Sequence, residues 1–322
     1  MDTTKRGGQG SLHDVQNASE ESIVHMYNAC ESHSVARKVA QNLLIKMCLD
    51  EREFQNQSHA WELLNGTPIG AGRTLRIPRP LRYFQHQNLG YLVMEYLDGI
   101  TMEDGLCQEN VLDVANAIWQ IHEITSRLNR EKPGPLNGGH ALGFPWGEWP
   151  CEATFDSIED LQHCVDKRLR QAATYNSTSF QGLLICNRKL SFCHMDIVPR
   201  NILLMPNNDI AFLDWEHANY YPAEFDLASL WYWVDFCVES KKSMMRDLAK
   251  ILRNRSTHMP DCDKLLLVQA QSIQSYVSQV FPATTSKSAS DFTLIWIVFL
   301  DALSARNSCF RSSIHPKVEF SI

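Results

Sequence analysis

No apolar run in this sequence is long enough to cross a bilayer. The most apolar one, "FTLIWIVFL" from Phe292 to Leu300, is closed off by Asp291 and Asp301 and reads as a buried helix. Positive charge is not in excess. The net charge is −7 and the isoelectric point is near 5.9, so no global field recruits nucleic acid or an anionic membrane. A local basic cleft for a phosphorylated ligand stays compatible with that balance. Ten cysteines are present, but none form a CxxC pair, and a chain of 322 residues needs no disulfide frame. They read as reduced thiols of a cytoplasmic protein. The opening "MDTTKRGGQGSLHDVQNASEES" has no apolar segment of the kind a secretory signal needs. Residues 1–20 are expected to be a disordered tail. Internal repeats and low-complexity tracts are absent as well.

An ordinary globular composition remains, with 44% apolar and 21% charged residues. Val35 to Val39 and Leu43 to Met47 read as a β-hairpin turning at Gln41-Asn42. Asp50 to Leu64 reads as a helix opened by an acidic cap. "RIPRPLRYF" leads into a strand, and "LGYLVMEYLDG" is a buried strand ending in a glycine turn. The first hundred residues therefore predict β-β-α-β-β. Beyond Gly99 the spacing turns helical. Glu109 to Leu128 carries Val111, Leu112, Val114, Ala115, Ile118, Ile121 and His122 on one face. Glu131 to Pro150 is crowded with Gly, Pro and Trp and reads as a long ordered loop, a kind that is often functional. Phe155 to Ala173 is helical again. Phe192 to Asp214 reads strand-loop-strand, and the chain from Phe225 onward is mostly helical. A small β-rich part joined to a larger helical part predicts two lobes with a ligand cleft between them.

Two acidic motifs carry the chemistry. In "FCHMDIVPRNILL" the apolar flanks are strand-like, so the polar residues between them sit on a loop held by buried strands. Asp196 and Asn201 are five apart, and such a loop can aim both oxygens at one point. Asp214 follows "IAFL" at the end of a further buried strand. A carboxylate with an amide oxygen is a hard-oxygen pair suited to Mg2+. A second carboxylate beside them can deprotonate a hydroxyl, which is the division of labour in phosphoryl transfer. Two rivals stand beside this reading. Asp and Asn in loops often make turn hydrogen bonds only. His-x-Asp could also begin a hydrolytic zinc or iron site, for which His217 is the one nearby further ligand.

"HMDIVPRN" followed by "LDWE" resembles the catalytic loop and metal-binding Asp of the aminoglycoside phosphotransferase and choline kinase-like superfamily, particularly fungal members of unknown substrate. The pattern there is H-x-D-x-x-x-x-N, then an apolar strand ending in I-D-W-E. "NLLIKM", "EFQNQSHAWELLN", "YLVMEYLDG", "PGPLNGGHALGFPWGE" and "EFDLASLW" are similar to the superfamily's flanking elements, and the likeness runs from about residue 22 to 310.

The resemblance implies an α+β protein kinase-like two-lobe fold, with an antiparallel-sheet N-lobe over 21–95 and a helical C-lobe over 96–322. The insertion over 131–180, with Trp146 and Trp149, would shape the acceptor pocket. It implies a Mg2+-dependent kinase that moves the γ-phosphate of ATP or GTP to a hydroxyl of a small molecule. Asp196 would be the base, and Asn201 and Asp214 would hold the metal. Lys46 would meet the nucleotide phosphates and Glu53 would pair with it, although Gln57 lies one turn on. Backbone at Glu95 and Leu97 would bind the nucleotide base. His194 and Asp226 would brace the loop. Arg200 could meet phosphate or a neighbouring Asp. Trp215, Trp231 and His122 read as core. One departure stands out: no G-x-G-x-x-G occurs, and Glu31 to Ser34 would have to approach the phosphates without a glycine. That gap motivates the alternative, a weak or inactive pseudokinase that binds a nucleotide or a partner.

Overall fold

The computed structural model describes residues 17–255 apart from 33, 106–107, 142, 147–153, 176–178, 180–181 and 235, together with 15, 264–266 and 268. Elements follow in the order α1 (Glu20–Ala29), β1 (Ala36–Ala40), β2 (Leu43–Cys48), α2 (Arg52–Leu64), β3 (Pro68–Gly70), β4 (Arg73–Arg76), β5 (Pro80–His86), β6 (Leu89–Glu95) and β7 (Ile100–Thr101). After these come α3 (Val111–Ser126), α4 (Ile158–Tyr175), β8 (Ser191–Cys193), β9 (Ile202–Leu204), β10 (Ile210–Phe212), β11 (Asn219–Tyr221), α5 (Glu224–Val234) and α6 (Glu239–Arg255). Among the described residues no helix is long and apolar enough to cross a membrane. The expected helix over Phe292 to Leu300 lies outside the described residues.

An antiparallel sheet of order β1-β2-β6-β5 forms the N-terminal part. Alternation along β2 decides what each face meets. Leu43 and Ile45 join Tyr91 and Val93 under α1, whose Ile23 and Tyr27 are buried. Leu44 turns the other way with Leu92, Met94 and Phe54 of α2. Lys46 shares that second face, since side chains two apart on a strand point together. Ser19 starts α1 as its N-cap, its hydroxyl accepting from Ser22 N–H, with Glu20 and Glu21 in the first turn. The expected tail thus ends in an ordered cap, and α1 is an element the expected β-β-α-β-β order lacks. That order also lacks the β3–β4 hairpin. This hairpin joins a second sheet, of order β3-β4-β10-β9-β7, in which β4 pairs in parallel with β10. The Asp209 carboxylate fixes the join by accepting from Thr74 N–H at 2.6 Å.

The C-terminal core gathers around α3. Val114, Ala115, Ile118 and Ile121 pack with Phe192, Trp215, Tyr220, Tyr221 and Phe225, all fully or nearly buried. Phe192 stacks on Trp215 with ring centroids 5.7 Å apart. Trp231 is half-buried against the same core. Trp146 of the insertion is buried, and its indole N–H donates to the Tyr221 hydroxyl at 2.9 Å. A buried indole needs a partner for its N–H, and Tyr221 of β11 supplies one. Trp149 lies outside the described residues. The described cysteines 30, 48, 164, 186, 193 and 237 are free thiols.

Candidate active site

Lys46 projects from β2 into a nest of carboxylates. Its Nζ donates to Glu53 Oε1 of α2 at 2.7 Å and to Asp214 Oδ1 at 2.9 Å, with Glu216 Oε2 at 3.9 Å. Gln57 is turned elsewhere and donates to Pro78 O. Burial alone would lower the Lys46 pKa, but the Asp214, Glu53 and Glu216 carboxylates outweigh it and hold the amine well above its ordinary value. Burial likewise pushes the Glu53 carboxyl up, to about 8, against the pull of Lys46. For Asp214 the outcome reverses: burial opposes ionisation, yet the Lys46 ammonium holds the carboxyl well below its usual range. One ammonium thus serves three carboxyl groups, of which Glu53 is the one burial favours in its neutral form.

The second cluster sits on the loop between β8 and β9. Asn201 Nδ2 donates to Asp196 O at 3.1 Å and to Asp196 Oδ2 at 2.8 Å, and Arg200 reaches the same Oδ2 at 3.2 Å. With its nitrogen committed to Asp196, the Asn201 amide presents its oxygen in the other direction. Asp196 Oδ1 is buried and has no partner among the described residues. A buried carboxylate oxygen without a donor is costly, and it marks a place where another group completes the site.

Backbone geometry explains how the loop is held. Met195 adopts φ +67°, a left-handed conformation rare for a bulky residue. Asp226, in the first turn of α5, accepts from His194 N–H at 3.0 Å and from Met195 N–H at 2.7 Å. Ser229, one turn further, donates to Met195 O at 2.6 Å. His122 of α3 meets Asp226 Oδ2 at 2.8 Å. His194 Nε2 lies 2.9 Å from Leu213 O, which ties this loop to the residue before Asp214. Asp214 itself sits at φ +64°. Sequence reasoning missed the contact of His122 with Asp226. Its position on the apolar face of α3 marked it only as core.

At the end of β6, Glu95 N–H donates to Arg79 O at 2.8 Å, and its carboxylate lies 3.7 Å from Arg76. The Glu95 backbone donor is therefore already committed to the protein. Leu97 is buried against Leu203 and Ala211, and its N–H forms no backbone hydrogen bond among the described residues. The segment before β1 needs no glycine in this state. Ser32 and Ser34 hydroxyls accept from Ser34 and Ala36 N–H, and Ala36 pairs opposite Lys46. Among the described residues, no His, Cys, Asp and Glu grouping fit for a metal includes His217.

The architecture is that of a protein kinase-like fold, with Lys46 and Asp214 facing each other and the Asp196 loop beside them. Residues 54–256 match the profile of the phosphotransferase enzyme family, and the chain belongs to that family. The matched span begins just after Lys46 and Glu53. A solved structure supports the fold, and two others are similar at lower scores. A thermostable mutant of the aminoglycoside phosphotransferase APH(4)-Ia aligns over 93% of this chain and 100% of its own, with 13% identity and a TM-score of 0.51. An aminoglycoside phosphotransferase from Alicyclobacillus acidocaldarius covers 92% and 96% with 14% identity and a TM-score of 0.46. A putative fructosamine-3-kinase from Haemophilus somnus covers 86% and 94% with 12% identity and a TM-score of 0.45. Among curated proteins no sequence matches this chain.

Proposed function

We propose that this chain transfers the γ-phosphoryl group of ATP or GTP to a hydroxyl of a small molecule. The observation that carries the reading is Asp196 Oδ1, a buried carboxylate oxygen without a partner beside a carboxylate that Asn201 and Arg200 hold in place. In this role Asp196 accepts the proton of the acceptor hydroxyl at Oδ1 while Asn201 keeps Oδ2 oriented. Lys46 binds the nucleotide phosphates, and Glu53 fixes the amine from α2. Leu97 N–H meets the nucleotide base, with Glu95 offering its carbonyl there. Asn201 through its free oxygen and Asp214 would hold Mg2+, and their donor set suits a hard cation. That ion would neutralise charge on the phosphate oxygens. Positioning and charge supply most of the rate in this chemistry, which fits a loop held by buried hydrogen bonds.

The test is phosphate transfer from Mg-ATP and Mg-GTP across a hydroxyl-bearing metabolite panel, with Asp196→Asn beside the native chain. Turnover in the variant is expected to fall by about 10²–10⁴ with nucleotide binding kept. Equal turnover would remove Asp196 as the base. The glycine-free approach to β1, where serine hydroxyls already take the Ser34 and Ala36 N–H groups, favours a second reading as a weak or inactive nucleotide binder. Stabilisation by millimolar nucleotide without transfer to any panel member would support that reading instead.

A further inference from the structure

A cavity of about 250 Å³ lies between the start of α2 and the loop over 135–138. Asp50, Glu51, Arg52 and Asn56 line it from the helix side, and Asn137 lines it from the loop, its amide donating to Gln55 Oε1 at 2.7 Å. None of the residues assigned above to nucleotide, metal or proton lines it. Two buried polar atoms of this wall lack partners. Asn56 is fully buried, and its Nδ2 donates to the carbonyls of Trp215, Glu216 and Ala218 at 3.0, 3.3 and 3.0 Å. Those three carbonyls take the nitrogen and leave Oδ1, which has no partner among the described residues. Arg52 Nη1 is buried without a partner in the same way. The two residues are one turn apart on α2 and share a face, with Cβ atoms roughly 5–6 Å apart.

The charges of the wall are not spent on one another. Arg52 forms no ion pair among the described residues, although Asp50 and Glu51 directly precede it, and neither carboxylate pairs with another cation there. Both carboxylates are exposed at the mouth of the cavity. A buried donor and a buried acceptor left unpaired each cost free energy, and together they mark where a ligand completes the wall.

We infer that this cavity binds a free α-amino acid as its zwitterion. The carboxylate takes a charge-assisted hydrogen bond from Arg52, and the ammonium donates to Asn56 Oδ1, with Asp50 and Glu51 supplying the opposite charge. A ligand of one sign meets half of the site. An anion leaves Asn56 Oδ1 without a donor and faces two carboxylates, and a cation leaves Arg52 unpaired. A neutral diol matches both atoms but compensates none of the three charges. The volume falls below the usual range for ligand pockets, about 300–1,000 Å³, which suits a short side chain.

Occupancy bears on the candidate site through α2. Glu53 lies between Arg52 and Asn56 on this helix and pairs with Lys46. Asn56 itself holds the segment that follows Asp214, in which Ala218 N–H donates to Trp215 O at 3.0 Å. A ligand that fixes Asn56 therefore steadies that segment as well. Binding here does not depend on phosphate transfer and is measured without nucleotide.

The experiment follows melting temperature and calorimetric binding of the full chain with each standard L-amino acid at millimolar concentration, beside acetate, methylamine and glycerol. Amino acids with short side chains are expected to bind, and each control at least about tenfold more weakly, a difference of about 1.4 kcal/mol. Arg52→Gln should weaken the best amino acid about tenfold or more. Arg52→Lys, which keeps the cation, should retain much of the affinity and shows that a loss in Arg52→Gln is not a folding defect. Bound amino acid should slow amide exchange at Ala218. Absence of binding by every amino acid would overturn the inference. So would equal affinity in Arg52→Gln, equal losses in Arg52→Gln and Arg52→Lys, or glycerol binding as tightly as the best amino acid. Binding that left exchange at Ala218 unchanged would overturn the link through Asn56.

Discussion

The two halves of the candidate site are held by different physics. Around Lys46, one ammonium faces three carboxyl groups through contacts that a cation or a phosphate can compete for. Around Asp196, the loop hangs from backbone N–H groups bonded to Asp226 and from the hydroxyl of Ser229, deep in the core. The first half is adaptable and the second is preorganised. That division suits the proposed transfer, in which one side admits a polyanion and the other keeps a proton acceptor still.

Substitutions can break the contrast. The largest expected effect on rate is the loss of turnover in Asp196→Asn given above, accompanied by almost no change in melting temperature. Asp226→Ala is expected to cost about 3–5 kcal/mol of stability, because two buried N–H groups and His122 lose their acceptor at once. Chemical denaturation measures this, and a cost below about 1 kcal/mol would mean that the loop is held by something else. Lys46→Met should weaken nucleotide binding by about ten- to a hundredfold, some 1.4–2.7 kcal/mol. In a double-mutant cycle with Glu53→Gln the stability costs should be non-additive by about 0.5–3 kcal/mol, since removing Lys46 takes from the buried Glu53 its ion-pair partner. The smallest effect belongs to Arg200→Ala. Arg200 is 54% exposed, and its pair with Asp196 is expected to contribute under about 1 kcal/mol to folding.

The loop and strand frame around the candidate site was legible in the sequence, while parts of the scaffold were not. The spacing of His194, Asp196 and Asn201 and the apolar run before Asp214 are local signals, and both describe what the backbone does there. Lys46 is different, because a lysine in an apolar strand shows its partners only when α2 and the residues after β10 arrive. Glu53 and Gln57 lie one turn apart, and packing decided between them: Gln57 was drawn to the Pro78 carbonyl. The β3–β4 hairpin escaped because its strands are short and its pairing depends on β10, far along the chain. In α1 a signal was present, a serine cap followed by two glutamates, within a stretch whose polar composition suggested a tail. Trp146 lies in a loop that read as long and ordered, and its indole bond to the Tyr221 hydroxyl is a contact that loop composition does not show.

The parallel join of β4 to β10 has a consequence for how the chain can be divided. Thr74 and Asp209 are 135 positions apart, and Lys46 and Asp214 are 168 apart. Long separations of this kind delay closure until late in synthesis. A fragment ending after β6 would carry the lysine strand intact, yet expose a raw strand edge where β10 belongs, an invitation to aggregate. Severed pieces of this protein are better supplied together, so that each covers the other's edge, than expressed one at a time.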